Sequence, residues 1–144
     1  LYEAKPPWSW FFRVGQAASL GVLLSGVRVI GLLDFAGATQ LLGFLSGQDP
    51  DREPEAQGPP IGADGEMVAD EAFHFTRHPG NLGVLGFFLF FPRMTVNRAA
   101  LAALVTLYGV LGSLHEEYRL RAAYGVPFER YRRKVPFMVP RPPK

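Results

Sequence analysis

Arg77 and His78 stand immediately before Pro79, and Glu116 and Glu117 stand side by side where a long uncharged run gives way to basic chain. Proline keeps the residue before it out of the helical region and itself fits a first helical turn, so His78 is placed at a helix start. Such a start offers unpaired N–H groups, and with Arg77 and a histidine donor it suits a carboxylate or a phosphate. Read alone, Thr76-Arg77-His78-Pro79 is equally a capped helix with a snorkelling arginine. Glu117, four residues before Arg121, is equally half of a surface ion pair. Set side by side, an Arg-His helix start and two carboxylates make a bipolar pocket suited to a zwitterionic ligand.

Other chemistries find less support. His74 and His78 are four apart and His115 is the third histidine, but Arg77 and Pro79 disturb a regular helix face and no second histidine pair exists, so no metal site is expected. The absence of cysteine removes thiolate ligands, disulfides and a cysteine nucleophile. Gly80-Asn81-Leu82-Gly83 lacks the strand, the lysine and the spacing of a phosphate loop, and no serine sits in a nucleophile elbow.

The elements that must position these residues are apolar. Hydrophobic residues make up 48% of the 144 and charged residues 19%, against about 25% charged in soluble domains. That balance points to a membrane protein and away from a disordered chain. In residues 14–33 the only ionisable group is Arg28, giving roughly 30 Å of helix for a first span. Ala17, Gly21 and Ser25 form a small-residue ridge on it that invites close helix approach. Arg28, with Asp34 just beyond, reads as a snorkelling or locally paired charge. Residues 35–47, uncharged and glycine-rich, suit an interfacial or re-entrant piece, completing a first unit over 14–47. A cleavable signal peptide fits poorly, because the apolar run is too long and holds an arginine. The chain begins at Leu1 and not at Met, which leaves room for residues upstream, another span among them.

Residues 48–71 carry eight carboxylates against Arg52 alone and read as a solvated acidic loop. Residues 77–124 read as an apolar helical hairpin: 81–92 uncharged, 93–98 a polar connection, 99–114 uncharged again. A second arm from about residue 99 to Tyr124 measures roughly 39 Å, so its end with His115, Glu116 and Glu117 projects beyond the hydrocarbon. The hairpin returns that end to the side of Arg77 and His78. Residues 125–144 form a basic tail in which Gly125 fits a helix C′ position, and the excess of arginine and lysine puts it in the cytoplasm. A nucleic-acid role lacks the stacking platforms it requires. The fold expected is all-α: one integral-membrane helical bundle over 1–144, with a C-terminal cytoplasmic segment that binds a cofactor.

RHPGNLG at 77–83, followed one hairpin later by EEYRLRAAYGVPFERYRRKVPFMVP at 116–140, resembles the integral-membrane methyltransferases of the isoprenylcysteine carboxyl methyltransferase and phospholipid methyltransferase type. The resemblance covers roughly residues 72–140, and its combined motif is specific where each piece alone is weak. FPRMTVNR at 91–98 and LLDFAGATQLLGF at 32–44 are similar, more softly, to a bacterial thiol-methylating and NnrU-like branch. The family often has Tyr where Asn81 stands, and a Gly-Pro-Tyr type lead-in where this chain has Glu71-Ala72-Phe73.

The resemblance implies a small helical membrane bundle that takes S-adenosylmethionine from the cytosol. It implies that Arg77 and His78 hold the cofactor's methionine end, with Gly83 closing that run, and that Glu116 and Glu117 take its amine or ribose hydroxyls. Tyr124, Tyr131 and the Val135-Pro136 turn would shape the adenosine pocket and lid, while Arg121, with Glu117, would face the acceptor. The function expected is S-adenosylmethionine-dependent methyl transfer to a small thiol or lipid-borne acceptor at the cytoplasmic face of a bacterial membrane. The alternative is a non-catalytic membrane subunit or scaffold of a larger complex. The bilayer, the acceptor and other membrane subunits are the expected partners, and nucleic acid is not.

Overall fold

A computed structural model describes residues 1–47 and 58–140 of the chain, which is mostly helical. Helix α1 (Trp8–Ile30) starts directly after Pro6-Pro7 and stops where Gly31 takes φ 96°, its N–H closing on the Val27 carbonyl. The apolar run expected as one span over 14–33 is therefore helical from six residues earlier and broken near its end, because only glycine adopts that backbone freely. Two short helices follow, α2 (Leu32–Phe35) and α3 (Ala38–Leu45), and α3 leaves Leu41, Leu42, Phe44 and Leu45 exposed.

Helix α4 (Pro79–Leu89) has His78 as its N-cap and proline in its first turn, as the local sequence dictates. It ends three residues short of Pro92. There the chain forms strand β2 (Arg93–Met94), which pairs antiparallel with strand β1 (Tyr2–Glu3), Tyr2 opposite Met94. The expected all-α chain thus carries a two-residue ribbon that ties its N-terminus to the hairpin turn. The Thr95 hydroxyl oxygen accepts the Arg98 N–H at 3.2 Å and starts α5 (Val96–Tyr124) three residues ahead of the expected residue 99. At its other end Gly125, at φ 55°, caps the Arg121 carbonyl, and α6 (Val126–Lys134) follows at once.

α1 packs against α4 through missing side chains. A Cβ on Gly83 would lie 2.6 Å from the Ser19 carbonyl oxygen and 2.7 Å from the Leu23 nitrogen. On the α1 side, Gly15 receives the Phe90 ring and Gly26 the Pro79 ring, while Ser19 faces Gly86. The expected ridge of Ala17, Gly21 and Ser25 is not the one used, and nothing lies within 4 Å of a Cβ on Gly21. Both are small-residue stripes, and only the partner's position decides between them. Ser25 instead donates to the Glu71 carboxylate at 2.8 Å and accepts the Ala72 N–H at 3.1 Å. Arg28, whose side chain is 82% exposed, lies 3.7 Å from Glu71. The side chain of Asp34, its expected partner, lies outside the described residues.

Of the acidic segment, residues 48–57 lie outside the described residues, as do 141–144 of the tail. The described remainder is folded and not merely solvated. Gly62 donates to the Glu66 carbonyl at 2.8 Å across a turn in which Gly65 has φ 76°. Met67 is thereby delivered into a small core with Leu120, Phe128, Tyr131 and Val135. Arg130 holds Glu66 by a 2.9 Å hydrogen bond. Burying such a methionine contributes roughly 2 kcal/mol toward seating the segment.

Among the described residues α5 is the one helix long and apolar enough to cross a membrane, with 17% of its most apolar window buried. Leu104, Leu107, Tyr108, Leu111 and Tyr118 stand open on it. α1, 23 residues long, does not reach the same hydropathy but exposes Trp8, Trp10, Phe11, Val14 and Leu24.

Candidate functional site

Antiparallel α4 and α5 bring the start of one beside the polar end of the other, and α6 folds back on α5 so that its C-terminal end reaches Arg77. Arg77 lies just before α4, where its backbone N–H donates to the Pro136 carbonyl at 3.0 Å. Its Nε donates to Glu117 Oε1 at 2.6 Å, and its Nη1 to the carbonyls of Val135 at 2.6 Å and Arg132 at 2.9 Å. The guanidinium therefore sits at the C-terminal end of α6, where a cation also meets the helix dipole favourably. His78 lies between the two carboxylates: Nδ1 is 3.2 Å from Glu116 Oε2 and Nε2 is 3.4 Å from Glu117 Oε1. Which ring nitrogen donates depends on the tautomer.

The aromatic ring of Phe137 closes the cluster. It meets His78 edge-on at 5.0 Å between centroids, and the Arg77 guanidinium carbon lies 5.7 Å from its centre. Thr76 accepts the His78 N–H at 3.4 Å and donates to the Phe137 carbonyl at 3.5 Å. Beneath it, the Tyr131 hydroxyl donates to the Phe73 carbonyl at 2.9 Å. Burial raises the Tyr131 phenol above its ordinary range, against the lowering effect of the Arg77 charge. Arg77, His78 and Glu117 are all buried, whereas the Glu116 side chain is 25% exposed. Removing one partner of a buried pair strands the other's charge, at about 3–5 kcal/mol.

The residues singled out from sequence divide accordingly. Arg77, His78, Glu116, Glu117, Val135 and Pro136 meet in one place, the last two through their carbonyl oxygens. Tyr131 braces the turn before Arg77, and Tyr124 packs half-buried against the core around Leu120 and Phe128. Gly83 instead faces α1, as described. Arg121 is half-exposed and its Nε donates to Glu129 Oε1 at 2.6 Å, so the expected Glu117–Arg121 pair does not form. Glu129 is partly exposed; desolvation works to raise its carboxyl, but the Arg121 hydrogen bond and the charges of Arg121 and Arg132 hold it below its usual value. Arg132 carries the connection inward, 3.5 Å from Glu129 and 3.8 Å from Glu117 Oε2.

Sequence reasoning missed Arg132, counted only as tail charge, and Phe137, read only as part of a motif. The spacing of Phe128, Tyr131 and Val135 marks the inner face of α6 and was the signal that Arg132, beside Tyr131, borders it. Among the described residues no group of three His, Asp or Glu is arranged to hold a metal. An apolar groove of about 530 Å³ lies at the ribbon end of α4 and α5, between Leu89, Met94, Ala102 and Leu107, away from the charged cluster.

No protein-family model matches the chain, and no solved structure matches it. It is similar to the methanethiol S-methyltransferase of Crocosphaera subtropica, 35% identical over 68 residues, which are 47% of this chain and 27% of that protein. It is also similar to methanethiol S-methyltransferase 2 of Bradyrhizobium diazoefficiens, 38% identical over 69 residues, 48% of this chain and 27% of that protein. The match thus spans about a quarter of the length of these curated relatives. The similarity supports a methyltransferase-like family and does not choose among its branches.

Proposed function

We infer that the chain belongs to a membrane methyltransferase which transfers the methyl group of S-adenosylmethionine to a small thiol, at the end of the α4–α5 hairpin where Arg77, His78, Glu116 and Glu117 meet. The observation that carries this reading is that buried cluster of opposite charges, joined to α6 by Arg77. Its residues fit the cofactor's zwitterionic end. Glu116 gives one carboxylate oxygen to His78, and its other oxygen has no partner among the described residues, so it is open to an ammonium or ribose hydroxyl. Nη2 of Arg77 is the part of the guanidinium with no protein partner among them, and it is the donor left for a carboxylate.

Bound S-adenosylmethionine supplies an electrophilic methyl group on a sulfonium. The chain's own part is to hold the reacting groups in line and keep water out, which Phe137 and the carbonyl-bound Arg77 serve by sealing the cluster. A thiol is a strong enough nucleophile that no strongly basic residue is required. Names of the relatives favour a thiol over a lipid-borne acceptor. The open apolar face of α5 favours a membrane around it, since water penalises each exposed leucine by roughly 2 kcal/mol. In this reading the basic residues of α6 face the cytoplasm of a bacterial cell.

One feature favours the alternative of a non-catalytic membrane subunit: Arg77 gives three of its side-chain hydrogen bonds to the chain itself. Calorimetric titration of the full protein in detergent with S-adenosylhomocysteine separates the two. Micromolar binding, weakened about tenfold by Glu116→Gln, is expected. Folded wild-type protein that takes up no S-adenosylhomocysteine overturns the enzyme reading and leaves the subunit.

A further inference from the structure

We propose that Asn81, held by Ser113 between α4 and α5 one helical turn from the charged cluster, receives the thiol acceptor. The inference rests on the methyltransferase reading and adds the group that selects the acceptor. Asn81 is the one polar side chain in α4. The helix facing it is apolar over residues 99–114 except for Thr106, Tyr108 and Ser113. Thr106 bonds within its own helix, to the Ala102 carbonyl at 2.7 Å, and Tyr108 points outward at 80% exposure. Ser113, fully buried, accepts from Asn81 Nδ2 at 2.7 Å.

The same Nδ2 lies 3.5 Å from the Gly109 carbonyl oxygen. A carbonyl only accepts, so the amide nitrogen is the atom turned toward α5, and Oδ1 is left without a partner among the described residues. Asn81 comes three residues after His78, and Ser113 comes three and four before Glu116 and Glu117. In antiparallel helices both steps run the same way, so an uncharged polar layer adjoins the charged one before the helix contact turns wholly apolar. An unpaired amide oxygen there suits a weak, neutral donor such as a thiol S–H and gives nothing to a carboxylate. The transfer balances without a further reagent: the methyl–sulfonium bond breaks, a bond from methyl to the acceptor sulfur forms, and the thiol proton is released to solvent.

A pair that merely sets helix register predicts something different. Replacing both partners by apolar groups of similar size, Asn81→Leu with Ser113→Ala, leaves no buried group orphaned and is close to neutral for folding. With the full protein in detergent, the double variant is expected to bind S-adenosylhomocysteine within about twofold of wild type while its KM for methanethiol rises about tenfold. Ser113→Ala alone, which keeps Asn81 but frees it to rotate, is expected to raise that KM about threefold and serves if the double variant fails to fold. An unchanged KM in either variant, with cofactor-product binding intact, overturns the assignment of Asn81 alone. Wild-type protein that does not bind S-adenosylhomocysteine overturns the methyltransferase reading and this inference with it.

Discussion

α4 is held by opposite means on its α1 side and just before its start. Along its length α4 meets α1 through Gly83, Gly86, Gly15 and Gly26, positions where the absence of a side chain lets the two helices approach closely. At its start Arg77 and His78 are held through buried charge and seven hydrogen-bond distances of 2.6–3.4 Å to protein groups, their backbone N–H groups included. A glycine contact tolerates nothing added and is indifferent to pH. A charged cluster tolerates changes of shape better than changes of charge count. Its cost of assembly is justified only if its charges bind something or its geometry must be unique.

The sharpest break in that comparison is at Glu117, which serves Arg77, His78 and Arg132 together. Glu117→Ala is expected to lower stability by about 3–5 kcal/mol, measured by thermal or denaturant unfolding in detergent, because the buried Arg77 guanidinium loses its counter-charge. Glu116→Ala, at a half-buried carboxylate with one partner, is expected to cost under about 1.5 kcal/mol and to act mainly on cofactor binding. Equal losses from the two would remove the distinction between a hub and an open carboxylate. On the α1 side, Gly83→Ala is expected to cost about 1–3 kcal/mol, since its Cβ meets backbone atoms that cannot turn aside. Gly21→Ala, into open space on the same helix pair, should instead gain up to about 1 kcal/mol from helix propensity. If both glycine variants behave alike, α1 and α4 do not cross as described.

What was legible in the sequence followed the same division. Proline after His78, glycine after Tyr124 and a carboxylate pair at the end of an uncharged run are local signals, and local rules place α4's start, α5's stop and the cluster between them. The choice of Gly15, Ser19 and Gly26 over Ala17, Gly21 and Ser25 was not legible, because both stripes have helical spacing and only a partner distinguishes them. Arg132 was hidden for the opposite reason, being one of several cations in a basic stretch. Glu71 shows a third case. It holds φ 49°, a conformation glycine takes freely. Ser25 hydrogen bonds to its carboxylate and to the next N–H compensate for that strain. A two-residue ribbon between Tyr2 and Met94 has no local signature at all, since its pairing spans most of the chain.

The smallest effect, and the one that separates the two kinds of contact by pH, lies at Tyr131. Its hydroxyl donates to the Phe73 carbonyl and is buried, so the folded phenol ionises well above the ordinary value of 10.0. Stability from a raised acid is fully present below the unfolded value and is lost as pH climbs above it, because the unfolded chain ionises first. Near neutrality Tyr131→Phe should cost about 1 kcal/mol, the lost hydrogen bond with an acceptor left behind. Above about pH 10 the wild type should lose up to about 1.4 kcal/mol per pH unit that the variant does not lose. The two unfolding curves should therefore converge near roughly pH 11. The difference between the two proteins cancels the other tyrosines and lysines, which both share. Curves that stay parallel through that range would mean that the Tyr131 hydroxyl reaches water, and that the turn before Arg77 is not fastened to α6 in the way described.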